Sequence, residues 1–264
     1  MRENPIGIFD SGFGGVSTLR QALRLLPGEN FVYFGDCAHA PYGCRPPHEV
    51  RDLAIAAGKI LVDHGIKVLM MACNTATATA LQDIQAALPV PVVGIYPAIR
   101  SASAHPGNGK ILMMATQTCT LHPGYQALHA SLEHPERVID LPCPPILVSL
   151  VEQGNLDPAA YESTLMELFA PYRQDTIDAI VLGCTHYPFF EQAISACAHA
   201  SFQGECAFYE GGAETSSRTA ALLEAQGLRN HSGQGHVLFL TSGQREALLP
   251  RFQMLLEVDC PFFS

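Results

Sequence analysis

Two cysteines in this 264-residue chain stand in the same local context. Ile66-Lys-Val-Leu-Met-Met-Ala-Cys73-Asn-Thr75 lies over Ile177-Asp-Ala-Ile-Val-Leu-Gly-Cys184-Thr-His186 without a gap. In each, an Ile and a polar residue open an apolar run and a small residue closes it. The cysteine is then followed at once by amide, hydroxyl or imidazole groups. A thiol with a pKa of about 8.5 can give a proton, and its thiolate can take one or attack carbon. Most cysteines in folded proteins are small buried hydrophobes. This pair differs because each ends an apolar run, and because a helix is predicted from Thr77 and from about Phe189. The N–H groups of a helix start favour a thiolate. Two matched thiols suit a reaction that needs two proton-transfer groups. A single thiol with His186 as its base would suit a cysteine hydrolase, which leaves the second thiol without a task.

Other polar groups gather at similar places. Asp10-Ser11-Gly12-Phe13-Gly14-Gly15 follows the first apolar run and precedes a helix. It reads as a plain glycine turn or as a loop whose N–H groups approach an anion, the basis of an alternative reading as an anion-binding protein. It has neither the Gly-Lys-Ser/Thr of a P-loop nor a G-x-G-x-x-G spacing. Asp36 to Gly43 (Asp-Cys-Ala-His-Ala-Pro-Tyr-Gly) again follows an apolar run, and is either substrate contact or a structural turn. Glu152 reads as a surface carboxylate or as a partner for His186. His105, His122, His129 and His134 show no metal-ligand spacing and are expected at the surface. No C-x-x-C pair is present, and no metal site is expected.

The elements that position these groups are short apolar runs alternating with helical patterns. Strands are predicted at 6–9, 31–34, 68–72, 92–95, 111–115, 138–141, 180–183 and 237–240. Helices are predicted at 17–26, 48–64, 77–88 and 158–169. Runs that are apolar on consecutive residues belong to strands buried on both faces of a parallel sheet. Alternation of β and α then implies an α/β fold, and the cysteine repeat implies two similar halves. Each half presents its cysteine at the carboxyl end of a strand, where open α/β sheets place ligands.

Composition narrows the partners. With 15 basic and 25 acidic residues the net charge is −10, which argues against nucleic acid or an anionic membrane. No apolar run reaches the roughly 18 residues of a bilayer span, and the N-terminus has no signal-peptide pattern, so a cytoplasmic location is expected. Nine cysteines, at 37, 44, 73, 119, 143, 184, 197, 206 and 260, are an odd and scattered set that does not read as a disulfide framework.

Taken together, Gly7-Ile-Phe-Asp-Ser-Gly-Phe-Gly-Gly15, Tyr33-Phe-Gly-Asp36 with Pro41-Tyr-Gly43, Ala72-Cys-Asn-Thr75 and Gly183-Cys-Thr-His-Tyr-Pro188 resemble the glutamate racemase family. The resemblance implies two similar doubly wound parallel-sheet α/β domains, 1–97 plus 210–264 and 98–209, with the active site in the cleft between them. It implies racemisation of glutamate without cofactor, serving peptidoglycan synthesis, by a homodimer. Cys73 and Cys184 would be the proton-transfer groups, with Cys73 serving D-glutamate and Cys184 serving L-glutamate. Asp10, His186 and Glu152 would assist them. Asp10, Ser11, Tyr42, Gly43, Asn74, Thr75, Thr185 and His186 would contact substrate. Aspartate racemase, similar in its paired cysteines, is the nearest alternative. Tyr96, Cys119, His122 and the Gly211-Gly212 pair depart from the family pattern, which has Glu, Thr, Ser and Asp-Ser at those places.

Overall fold

The computed structural model describes residues 2–232 and 235–257. Its first elements are β1 (Ile6–Asp10), α1 (Val16–Leu25), β2 (Phe31–Gly35), α2 (Pro47–Asp63), β3 (Val68–Met71), α3 (Asn74–Ala87), β4 (Val92–Gly94) and α4 (Ile99–Ser103). There follow β5 (Lys110–Ala115), α5 (Gln117–Leu121), α6 (Pro123–Ala130), β6 (Val138–Pro142), α7 (Ile146–Glu152), α8 (Ala159–Phe169) and β7 (Ile177–Leu182). The last are α9 (Glu191–Ser201), β8 (Ala207–Glu210), α10 (Gly211–Ala225), β9 (Val237–Thr241) and α11 (Arg245–Glu257). The chain divides into two compact units, Met1–Tyr96 with Gly212–Ser264, and Pro97–Gly211.

In the first unit every strand pair is parallel and the order is β4-β3-β1-β2-β9. Strands β1, β2 and β3 are buried at every residue, which is why their sequences run apolar without alternation. Helices α2 and α3 pack together over one face, against Phe9, Phe34, Leu69 and Met71. On the other, α1 packs with α11, and Phe252 stacks on Phe239 with ring centroids 4.2 Å apart. From β1 the chain goes to one side for β2 and to the other for β3. The order therefore reverses between β1 and β3, and the crevice outside their carboxyl ends is where such a sheet binds ligands.

Lys67, the polar residue that opens the first repeat, has a structural task. Its ammonium donates to the Glu29 carboxylate and to the carbonyls of Arg2 (2.7 Å) and Leu228 (3.0 Å), while Asn230 N–H donates to the other Glu29 oxygen. Both side chains are buried, at 3% and 1% exposure. Removing one partner strands the other charge out of water, at a cost of about 3–5 kcal/mol. Lys67→Met is expected to lose stability on that scale in urea denaturation. A loss under about 1 kcal/mol, the worth of a surface pair, would refute this.

The second unit repeats the first in miniature. Its parallel sheet runs β6-β5-β7-β8, so β5, β6, β7 and β8 stand to one another as β1, β2, β3 and β4 do. The ten-residue repeat is thus part of a four-strand repeat, with Cys73 after β3 and Cys184 after β7. The small residue before each cysteine has a cause. A Cβ on Gly183 would come within 2.4 Å of Met113 Cε and 2.7 Å of Met114 O. Gly183 N–H donates to Met114 O and Ala72 N–H to Phe9 O, both at 2.8 Å, closing the two strands alike.

Four local expectations change. Strand β7 begins at Ile177 and not Ile180, because Asp178, which breaks the apolar run, is satisfied in place by Gly109 N–H (2.7 Å) and Arg137 (2.9 Å). Strand β8 is half-buried throughout and carries no apolar run long enough to announce it. Helix α3 starts at Asn74 directly after Cys73, whereas no helix starts directly after Cys184. There Tyr187 and Phe190 are both drawn into the core, Phe190 stacking on Tyr161 at 4.3 Å. A 3-10 turn over Tyr187–Phe190 results, and α9 begins only at Glu191. Of the histidines expected at the surface, only His134 is exposed. His105 bonds Tyr209 OH (2.8 Å), His129 bonds Pro135 O (2.9 Å), and His122 accepts from Gly124 N–H (3.1 Å) as the cap of α6. Burial lowers the His122 pKa. Cys260 lies outside the described residues.

Candidate functional site

In the first unit the carboxyl ends of β3, β1 and β2 deliver Cys73, Asp10 with Ser11, and Asp36 side by side. Cys73 is the N-cap of α3. Its sulfur accepts from Ala76 N–H at 3.4 Å, and its thiol donates to Ser11 Oγ at 3.6 Å. The positive end of a 14-residue helix therefore points at this sulfur. Asp10 is fully buried, and its Oδ2 accepts from Gly12 N–H at 3.3 Å. The glycine turn permits this approach, since a Cβ on Gly15 would stand 2.5 Å from the Cβ of Asp10. Tyr42 and Gly43 lie in a 3-10 turn beyond β2, with Tyr42 buried and Gly43 half-buried.

The Tyr42 hydroxyl donates to Asp36 Oδ2 at 2.5 Å, and the other Asp36 oxygen meets His39 Nδ1 at 2.7 Å. Burial, then Asp36, with Cys73 and Asp10 adding, pushes the Tyr42 phenol far above its usual range. Tyr42 thus stays a donor at any working pH. Asn74 and Thr75 form the first turn of α3, and both are buried. Asn74 Oδ1 is a buried acceptor with no partner among the described residues, the kind of atom a bound ammonium or amide would satisfy.

In the second unit Cys184, Thr185 and His186 follow β7 and are buried. His186 Nδ1 lies 3.5 Å from Cys184 Sγ, and its Nε2 lies 2.7 Å from Glu152 Oε1, on the last residue of α7. Burial by itself opposes charge on the imidazole. The Cys184 sulfur and the Glu152 carboxylate outweigh it, and the His186 pKa stands well above its ordinary value. A thiolate–imidazolium pair oriented by a carboxylate is what this triplet can hold. Cys119 and Cys143 lie in the same region, and burial foremost pushes both thiols up to about 12. They are neutral, while Cys184 has a base at hand. Tyr187, also raised well above its usual range by burial and then by Cys143 and Cys184, is neutral too.

Each unit therefore gathers its own predicted residues. Asp10, Ser11, Tyr42, Gly43, Cys73, Asn74 and Thr75 belong to one set, and Glu152, Cys184, Thr185 and His186 to the other. The tie between Asp36 and His39, and the placing of Cys143 and Tyr187 beside Cys184, are not legible in the motifs alone. The four-strand repeat was the signal available. Asp36 N–H bonds Asp10 O (3.0 Å) after β2 as Cys143 N–H bonds Ala115 O (2.8 Å) after β6. Of the family departures, Cys119 is buried near Cys184, His122 caps α6, Gly211 opens α10, and Tyr96 is 44% exposed. Among the described residues no group of three or more His, Cys, Asp or Glu could hold a metal ion, and no helix is long and apolar enough to cross a membrane.

A pair of parallel α/β units, each with a cysteine among polar groups after a topologically equivalent strand, defines a class of α/β proteins built from two similar halves. Residues 15–203 match the model of the Asp/Glu/hydantoin racemase family. A glutamate racemase of Clostridium botulinum (strain Alaska E43) is 33% identical over 258 residues, 97% of this chain and 98% of its own length. One from Clostridium perfringens (strain SM101) is 41% identical over 195 residues, 74% of this chain and 75% of its own. Among solved structures, glutamate racemase from Francisella tularensis in complex with D-glutamate aligns with a TM-score of 0.83 at 25% identity, over 98% of this chain and 95% of that one. The Thermus thermophilus glutamate racemase, in complex with beta-chloro-D-alanine, aligns with a TM-score of 0.74 at 35% identity, over 97% and 93%. The chain belongs to the Asp/Glu/hydantoin racemase family and, within it, to the glutamate racemases; it is an isomerase.

Proposed function

We propose that this protein interconverts L- and D-glutamate by a two-base mechanism, with Cys73 and Cys184 addressing opposite faces of the α-carbon. The observation that carries the reading is the placement of the two thiols after β3 and β7, equivalent strands of a four-strand repeat. In the L-to-D direction the Cys184 thiolate takes the Cα proton and leaves a carbanion on the substrate. The Cys73 thiol then delivers its proton to the other face, so one thiol and one thiolate remain with their roles exchanged. His186, held by Glu152, stabilises the Cys184 thiolate. Ala76 N–H and the start of α3 do so for Cys73, and Asp10 and Ser11 position that side. Asn74, Thr75, Thr185, Tyr42 and Gly43 hold the substrate's ammonium and carboxylates. Thiol chemistry of this kind needs neither metal nor pyridoxal, and the D-glutamate formed would feed peptidoglycan synthesis in the cytoplasm, from a homodimer.

The test is circular dichroism of L-glutamate, D-glutamate and L-aspartate solutions with enzyme dialysed against EDTA. Both glutamate signals are expected to decay to zero at rates unaltered by EDTA. Loss of activity with the chelator would end the cofactor-free reading, and faster decay of aspartate would reassign the substrate.

A further inference from the structure

Outside the cysteine sites, the first unit contains a cavity of about 500 Å³ beside β4, lined by Leu81, Val90, Val92, Tyr96, Arg218 and Leu222 among others. That is the size of a small-ligand pocket. Strand β4 is the edge of its sheet, yet its outer carbonyls are already taken. Gln85 Nε2 donates to Val92 O at 3.2 Å and Arg218 Nη2 to Gly94 O at 2.7 Å. A further strand therefore finds this edge capped, which disfavours a peptide added to the sheet and favours a compact occupant.

Arg218 supplies the polar end. Its Nη2 also reaches Thr215 Oγ1 (3.3 Å), and its guanidinium lies over the Tyr96 ring at 5.3 Å. Its Nε is buried with no acceptor, and no carboxylate pairs with it among the described residues. In a chain with 25 acidic residues and 15 basic ones, a half-buried arginine left without an acid is unusual. Neutral acceptors and a ring offset its desolvation only in part, and Nε is left for an anion to satisfy. Apart from Gln85, whose amide is tied to Val92 O, the remaining walls are aliphatic, with the exposed Tyr96 ring at the rim.

We propose that this cavity binds a small amphipathic carboxylate, its anionic end on Arg218 and its apolar body on Leu81, Val90, Val92 and Leu222. The site is independent of the cysteine chemistry and stands or falls separately. The probe is 3-phenylpropionate, titrated into the 15N-labelled full-length protein and followed by amide shifts, with 3-phenylpropanamide as the uncharged twin. Saturable shifts centred on Val92, Val93 and Gly94 are expected, at least about tenfold weaker for the amide and for Arg218→Gln. Val90→Trp, which crowds the apolar part of the cavity and leaves Arg218 in place, should weaken them at least about tenfold, so the test survives if Arg218→Gln fails to fold. Equal binding of acid and amide, unsaturable shifts, or shifts centred on Asn74 or Thr185 would each overturn the proposal.

Discussion

Cys73→Ala and Cys184→Ala are each expected to lower racemisation by at least about 10³-fold, within what one positioned acid or base contributes. Neither should abolish every proton transfer. The remaining thiolate still faces the α-proton of one enantiomer. A glutamate with chloride at the β-carbon needs only that first step. The thiolate takes the α-proton, chloride leaves with the C–Cl electron pair, and the enamine hydrolyses to a keto acid and ammonia. Cys73→Ala should eliminate chloride from the L-analogue alone and Cys184→Ala from the D-analogue alone, read as keto acid formed. Elimination by both variants from the same enantiomer would show that the thiols do not address opposite faces. Racemisation at near wild-type rate by either variant would remove the two-base mechanism altogether.

The second large effect is expected at His186, through pH. Its pKa is raised against burial by the Cys184 sulfur and Glu152, so its imidazolium persists above the ordinary range. A group with a raised folded pKa stabilises fully below its unfolded pKa, about 6.5, and loses that contribution as pH rises through the folded value. The imidazolium beside Cys184 is therefore lost on the alkaline side. Glu152→Gln withdraws one raising contribution, so the alkaline limb of turnover should move to lower pH. His186→Asn should cost about 10²-fold or more in kcat. The elimination assay separates this from general damage. Glu152→Gln in the Cys73→Ala background should slow elimination from the L-analogue, and in the Cys184→Ala background it should leave the D-analogue rate intact. Equal slowing of both would assign Glu152 to the fold.

Residue order alone carried much of this. Buried parallel strands are apolar on consecutive residues, so β1, β2, β3 and β5 were legible as runs, and Cys73 and Cys184 stood out because polar groups follow each at once. The motifs around Asp10, Tyr42 and His186 added the family and, through it, the racemase reading. The contacts that give those residues their chemistry were out of reach, because they join positions far apart in sequence or depend on a local conformation that packing selects. Glu152 reaches His186 across 34 residues, and Leu150-Val-Glu-Gln leaves both a solvent carboxylate and a partner for His186 open until α7 is placed. Lys67 reads as a polar strand-opener until β3 brings it to Glu29 and Leu228. The two cysteines have the same sequence frame but not the same surroundings. At Cys73 the chain turns at once into α3 and the helix caps the sulfur. At Cys184 the burial of Tyr187 and Phe190 holds the chain in a 3-10 turn, and an imidazole two residues on takes the helix's place. Sequence determined where the thiols stand; side-chain packing in the tertiary structure decided what surrounds each.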